Sequence, residues 1–326
     1  REVTLLRRRL KEVWGYGKLV GKGKAMQEVY RLIDLAAPTS APVLVSGESG
    51  TGKELVAHML HELSPRGQRA VVAVNCSAIP ETLLESEIFG HERGSFTGAM
   101  ERRIGCFELA HEGTIFLDEI AEMSPSTQAK FLRILEDGTV RRLGGKAEIK
   151  VDVRVLAATN KDPLKAIADG NLREDLYYRL NVFSLALPPL RERREDIPLL
   201  LQAFIEELNT KYEKRIKAVD EAALRILMRY PWPGNVRELR NTIERGVIAC
   251  KADLITARHL PPGLTSKARE EGSDAISVPL GITLEQAEKN LIRKTLVSVN
   301  NNKTKAAEIL GISLKTLHNK LHRYGV

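Results

Sequence analysis

A chain of 326 residues with 43% hydrophobic content is long and apolar enough to bury more than one core, which excludes a wholly disordered protein. A formal net charge of +8 suits an anionic partner such as nucleic acid but does not by itself select one. Cys76, Cys106 and Cys250 are odd in number, far apart and form no C-x-x-C pair, and no apolar run approaches the roughly 20 residues that span a bilayer; a soluble cytoplasmic protein without disulfides, zinc or membrane partner is expected.

The opening REVTLLRRRLKE begins without Met in a charged helical pattern, and it reads as a chain that lacks an upstream regulatory domain. Val3, Leu6, Leu10 and Val13 form the seam of a short linker helix expected over 1–17. GYGKLVGKG at 15–23 has neither the preceding strand nor the spacing of a dinucleotide fingerprint and reads as a loop.

From there to residue 190, short apolar runs at 43–46, 71–75, 114–118, 153–157 and 182–187 alternate with helical stretches, the pattern of a parallel α/β sheet flanked by helices. After Pro188-Pro189 the pattern is helical over 197–211, 220–229 and 236–249, with no further strand signal, so a helical lid is expected over 191–262. Residues 263–280 read as a flexible linker, and 281–326 as a small all-α domain.

GESGTGKE at 47–54 lies between a strand and a helix, where a phosphate-binding loop must lie. Gly47, Gly50 and Gly52 let backbone N–H groups close on phosphate oxygens, and Lys53 supplies a mobile positive charge. Glu48, Ser49, Thr51 and Glu54 complete the expected ATP-binding loop. Glu54 stands where the general motif has the Ser or Thr whose hydroxyl reaches Mg²⁺. GTIFLDE at 113–119 is an apolar strand ending in two carboxylates: Asp118 suits a Mg²⁺ complex, partly through water, and Glu119 suits polarising the attacking water. RVLAATN ends in Thr159-Asn160, a neutral tip placed to sense a γ-phosphate.

In LREDLYYRLN, Arg173 and Arg179 lie six apart, near-neighbours on one face if the segment is helical, and could enter a neighbouring subunit's site. Composition also allows a solvated face with ordinary ion pairs to Glu174 and Asp175. At the C-terminus, KTKAAEILGISLKTLHNKLHRYGV reads as a helix-turn-helix with Ser313 as N-cap of its second helix. Ala307, Leu310, Ile312, Leu317 and Leu321 are its expected inner face; Lys303, Lys315, Thr316, His318, Asn319, Lys320, His322 and Arg323 are expected to face double-stranded DNA. His318 and His322 have metal-compatible spacing but no acidic or Cys partners nearby.

Residues 19–260, on these motifs together with GSFTGA at 94–99, resemble the central AAA+ domain of NtrC-type sigma-54-dependent activators, the bacterial enhancer-binding proteins, and the C-terminus is similar to their Fis-like domain. The resemblance implies an ATPase with ATP and Mg²⁺ as cofactors, a dimer assembling to a hexameric ring on enhancer DNA, and sigma-54 RNA polymerase holoenzyme as partner. It makes Gly94, Ser95, Phe96, Thr97, Gly98 and Ala99 the sigma-54 contact, with Phe96 and Thr97 at its tip. It makes Asn75 the residue that holds Glu119, although Asn75 could equally cap its strand, and Arg237 in YPWPGNVRELRN a second nucleotide sensor. Ser95 and Leu172 depart from the family's usual Ala and Phe. Two rivals are a passive DNA-bound ATP binder and an AAA+ unfoldase or helicase loader; the intact Lys53, Glu119 and arginine pair argue against the first, GSFTGA against the second.

Overall fold

The computed structural model describes residues 19–96, 98–264, 281, 283–299 and 301–324. The linker helix expected over 1–17, nearly all of the linker expected over 263–280, and Thr97 lie outside the described residues. The chain divides into two compact units, Arg1–Pro261 and Pro262–Val326.

The first unit opens with helix α1, Lys24–Ala36, whose Met26, Val29, Tyr30, Ile33 and Ala36 recur at helical spacing and are all buried. Strand β1 (Val43–Ser46), helix α2 (Lys53–Glu62), β2 (Val71–Asn75) and α3 (Glu81–Phe89) follow. Next come β3 (Gly90–His91) and β4 (Arg103–Ile104), then α4 (Cys106–Leu109), β5 (Thr114–Asp118) and α5 (Pro125–Asp137). The hairpin β6 (Thr139–Arg141) and β7 (Glu148–Lys150) precedes β8 (Arg154–Thr159), α6 (Pro163–Ala168), α7 (Glu174–Leu180) and β9 (Phe183–Ala186).

Five strands form a fully parallel sheet in the order β2-β5-β8-β1-β9. Alternation along the strands divides the core between its two faces. Val43, Val45, Phe116, Leu156 and Ala158 pack with α1 and α2, whereas Leu44, Ile115, Leu117, Val155 and Ala157 pack with Ile88, Phe107, Phe131 and Leu176. Register aligns Asn75 with Asp118 and Ser46 with Thr159, so the polar strand ends gather at one edge of the sheet, where open parallel sheets bind ligands.

At the other edge Arg154, 1% exposed, donates to the carbonyls of Ala36, Ala37 and Leu60 at 2.9, 2.9 and 3.1 Å. These are end-of-helix carbonyls of α1 and α2, which lack intrahelical partners and carry the negative end of the helix dipole. Burial pulls the Arg154 pKa down to about 10, and those carbonyls are what hold the cation in place.

The lid consists of α8 (Ile197–Tyr212), α9 (Glu221–Arg229), capped by Asp220 through Ala223 N–H at 2.7 Å, and α10 (Asn235–Ala249). It also contains β10 (Ala218–Val219) and β11 (Leu254–Ile255), a parallel pair that corrects the expectation of no strand after Pro188-Pro189. Two residues each are too few to show an alternating pattern. In the second unit α11 (Leu284–Ser298), α12 (Lys303–Ile309) and α13 (Leu314–Tyr324) pack around Ile292, Leu296, Ala306, Ala307, Leu317, Leu321 and Tyr324. Among the described residues no helix is long and apolar enough to cross a membrane.

Candidate functional site

The loop from β1 to α2 turns on Gly47, Gly50 and Gly52, at φ +151°, +78° and +110°. Gly50 is the most constrained: a Cβ there would lie 2.4 Å from the Gly234 carbonyl and 3.0 Å from Arg237 Cβ, so only glycine lets the start of α10 close onto the loop. Arg237 N–H donates to the Gly50 carbonyl at 3.2 Å, and its guanidinium to Ser49 Oγ at 3.1 Å. Lys53 is buried, donates to the Gly47 carbonyl at 3.0 Å, and stands 3.4 Å from Glu119 Oε1. Thr51 Oγ is occupied by the Glu48 carbonyl at 2.8 Å, and Glu54 is exposed with His58 3.9 Å away.

Asp118 and Glu119 end β5 side by side but in different environments. Asp118 Oδ1 is buried without a hydrogen-bond partner, and burial, followed by the neighbouring Glu119 charge, raises its pKa. Such an orphaned acceptor carries a desolvation cost that a divalent cation would offset, so the residues present fit Mg²⁺. Among the described residues no group of three or more His, Cys, Asp or Glu gathers to hold a metal; Asp118 would share a cation with phosphate oxygens and water. Glu119 sits in the left-handed region at φ 58°, ψ 52°, a strained conformation for a non-glycine residue. Asn160 N–H donates to its Oε2 at 2.8 Å.

Asn75 Oδ1 accepts from Ser77 N, Ser77 Oγ and Ala78 N at 3.0, 2.8 and 3.1 Å. It caps its own strand, although it lines the same cleft.

Above the loop, Asn235 is fully buried and ties three segments together: its amide donates to Glu48 Oε2 and the Ser49 carbonyl at 3.1 and 3.0 Å and accepts from Leu190 N–H at 2.8 Å. Arg191 grips Glu48 with two bonds of 2.8 and 2.6 Å. These contacts, Arg191 first, pull the Glu48 pKa down to about 2. The resulting cleft of about 880 Å³ has a polar floor of loop residues, Asp118, Glu119 and Asn160, and an apolar side of Leu19, Val20, Leu200, Phe204 and Val236. Sequence reasoning missed that apolar side along with Asn235, Arg191, Arg193 and Asp196, because each becomes part of the site only through contacts far apart in the chain.

Arg173 and Arg179 do not share a helix face. Arg173 is the N-cap of α7, outside the helix, and makes a two-bond pair with Asp175 at 3.1 and 2.7 Å. Arg179, in the last turn, donates to the Leu135 carbonyl at 3.1 Å. Neither lines the cleft of its own chain.

The described residues of GSFTGA, 94–96, 98 and 99, lie between β3 and β4, a strand pair that the sequence did not signal. Gly94 and Gly98, at φ +79° and +106°, flank the tip with open space around both. Gly94 N–H donates to the Ala99 carbonyl at 2.8 Å, closing the loop. Phe96 is 39% exposed, its ring edge-on to His91 at 5.0 Å; Ala99 is buried. The β6–β7 hairpin supports the loop's base through Glu92 N–H to the Leu143 carbonyl at 3.0 Å and Leu143 N–H to the Gly90 carbonyl at 2.9 Å. Arg142 is buried between Glu92 and Glu108, and charged hydrogen bonds to both raise its pKa.

In the second unit Ser313 Oγ accepts from Thr316 N–H at 3.1 Å, the N-cap bond expected for α13. Lys303, Lys315, His318 and Asn319 are exposed. Lys320 and the exposed Arg323 pair with Glu288 and Glu285 of α11 at 2.7 and 3.0 Å. Nothing is described for the His322 side chain.

A parallel sheet with a glycine-rich loop and carboxylate pair at one edge, and a helical lid closed onto that loop, defines a P-loop protein of the AAA+ class. Comparison with known proteins narrows this: the sigma-54 interaction domain matches residues 19–186, the AAA+ ATPase lid domain 191–276, and the Fis family of bacterial regulatory proteins 283–324. The chain belongs to the family of NtrC-type sigma-54-dependent transcriptional activators. It is 46% identical over 322 residues to nitrogen fixation protein AnfA of Azotobacter vinelandii, covering 98% of this chain and 60% of that protein. It is 43% identical over 331 residues to regulatory protein AtoC of Escherichia coli, covering 100% of this chain and 72% of that protein. The crystal structure of NtrX from Brucella abortus in complex with ADP superposes with a TM-score of 0.71 at 34% identity, covering 100% of this chain and 73% of that one. A complex of NtrX with ATP gives 0.70 at 35%, with coverage of 100% and 73%. The chain thus spans about half to three quarters of the relatives it matches.

Proposed function

We propose that this chain hydrolyses ATP as a ring of copies and spends that hydrolysis on remodelling sigma-54 RNA polymerase at a closed promoter, working in the cytoplasm while its C-terminal helices hold enhancer DNA. The observation that carries the reading is the placement of Glu119 3.4 Å from Lys53 on the floor of a cleft roofed by Arg237. In this reading the glycine loop cradles the phosphates, Leu19, Val20, Leu200 and Phe204 hold the base, and Lys53 neutralises the β- and γ-phosphates. Asp118 would hold Mg²⁺, which supplies charge neutralisation on the phosphate oxygens when bound. Glu119 accepts a hydrogen bond from water and orients it toward the γ-phosphorus. The bond from water oxygen to phosphorus forms as the β–γ bridging bond breaks, and ADP leaves with its electron pair. The water's proton passes to Glu119 and then to phosphate. Asn160 lies where the γ-phosphate is present or absent, and its backbone already holds Glu119, which ties the water-positioning carboxylate to nucleotide state.

Arg173 and Arg179 serve the cleft of a neighbouring copy, Arg237 senses the nucleotide from the lid, and Phe96 with Thr97 touches sigma-54. DNA contact falls to Lys303, Lys315, Thr316, His318 and Asn319, with Lys320 and Arg323 available only where phosphates displace Glu288 and Glu285.

The remodelling part of the reading is tested at the loop. Phe96 is 39% exposed and its ring lies edge-on to His91, away from the nucleotide cleft, so Phe96→Ala leaves ATP turnover within about twofold while abolishing capture of sigma-54 in the presence of a transition-state nucleotide analogue. Undiminished capture by Phe96→Ala would remove this loop from the interface.

A further inference from the structure

One wall of the nucleotide cleft is a segment that phosphate chemistry does not use. Residues 19–23 supply it, with Leu19 and Val20 buried and lining the cleft and 21–23 leading away from it. The segment is clamped at both ends. Tyr30 Oη donates to the Leu19 carbonyl at 3.0 Å, and the N–H groups of Lys22 and Gly23 both donate to Asp196 Oδ1, at 2.7 and 2.8 Å. Asp196 is 0% exposed, and its Oδ2 has no partner, so these two bonds are the hydrogen bonds that compensate its burial. A side chain at residue 21 would come within 2.7 Å of Met26 Cγ and 2.9 Å of Asp196 Oδ2, so glycine there is what allows the close approach.

Asp196 leads directly into α8, whose Leu200 and Phe204 line the same cleft. Arg193, one turn earlier and also buried, reaches a different wall: Nη2 donates to the Thr51 carbonyl in the phosphate loop at 2.9 Å, and Nη1 to Met26 Sδ at 2.8 Å. One short turn therefore holds two walls through two side chains, Arg193 on the phosphate half and Asp196 on the apolar half.

We infer that Asp196 is a positioning residue for the nucleobase: by clamping residues 19–23 to the start of α8 it holds Leu19 and Val20 against the base and sets how much affinity the base contributes. The inference rests on the reading of this cleft as an ATP site. Because Asp196 bonds the segment that carries Leu19 and Val20 and not the phosphate loop, its loss has a signature that general destabilisation lacks.

The test is calorimetric binding of ATP and of inorganic tripolyphosphate, each with Mg²⁺, to the full chain. Wild type binds ATP more tightly than tripolyphosphate. Asp196→Ala weakens ATP about tenfold, the scale of lost hydrogen bonds to a charged group, and leaves tripolyphosphate within about twofold. Leu19→Ala, which keeps the clamp but removes apolar wall, shows the same ATP-selective loss; Asp196→Asn, which keeps an oxygen for both N–H groups and loses only the charge, shows a smaller loss that is still selective for ATP and serves if the alanine variant does not fold. Arg193→Ala weakens both ligands, because Thr51 belongs to the phosphate loop. Equal weakening of both ligands in the Asp196 variants, or no weakening of ATP, would overturn the inference. A wild type with no preference for ATP over tripolyphosphate would overturn the ATP reading itself, and the inference with it.

Discussion

Glu119→Gln is expected to lower ATP turnover by about 10²- to 10⁴-fold, the range contributed by a positioned general base, while nucleotide binding persists. Glutamine keeps an oxygen to accept from Asn160 N–H at 2.8 Å, so the strained turn at φ 58° survives. It loses the negative charge that polarises water and that faces Lys53 at 3.4 Å. The two effects separate in measurement: steady-state kcat collapses, whereas the ATP dissociation constant stays the same or tightens because Lys53 loses a competing carboxylate. Turnover within tenfold of wild type would take the water-positioning role from Glu119.

Arg173→Ala and Arg179→Ala are expected to cost about 10³- to 10⁵-fold in kcat if these are arginines supplied to a neighbour. Their placement is the reason to expect action between copies. Within the chain Arg173 is bound to Asp175 and Arg179 to the Leu135 carbonyl, and neither lines the chain's own cleft. Mixing supplies the check. An Arg179→Ala preparation and a Glu119→Gln preparation are each inactive, but in a mixed ring an intact Glu119 site meets an intact Arg179 from its neighbour. Turnover therefore returns on mixing. A mixture no more active than the sum of its parts, formed under conditions where subunits exchange, would contradict action in trans.

The legible parts of this molecule were those whose signal is local. The five sheet strands are continuous apolar runs, and the phosphate loop is a motif whose glycines, lysine and flanking strand and helix lie within a dozen residues. Ser313 and the inner face of α12 and α13 are legible for the same reason. The hairpin pairs β3–β4 and β6–β7 and the lid pair β10–β11 are two or three residues per strand, below the length at which alternation can be seen. Residues 15–23 read as a loop because nothing nearby shows that Asp196, 173 residues beyond Gly23, binds its backbone. Spacing placed Arg173 and Arg179 together, but the helix begins after Arg173, so they diverge. Lys320 and Arg323 are polar positions on an amphipathic helix, and periodicity does not reveal that Glu285 and Glu288 of another helix lie opposite them.

The central claim is that hydrolysis belongs to a ring and not to a single chain, and steady-state ATP turnover per subunit against protein concentration tests it most directly. The account predicts a per-subunit rate that rises with concentration and then levels off, as sites become completed by Arg173 and Arg179 of adjoining copies. A per-subunit rate that is constant from the most dilute to the most concentrated sample, or absent throughout while ATP binds, would contradict it.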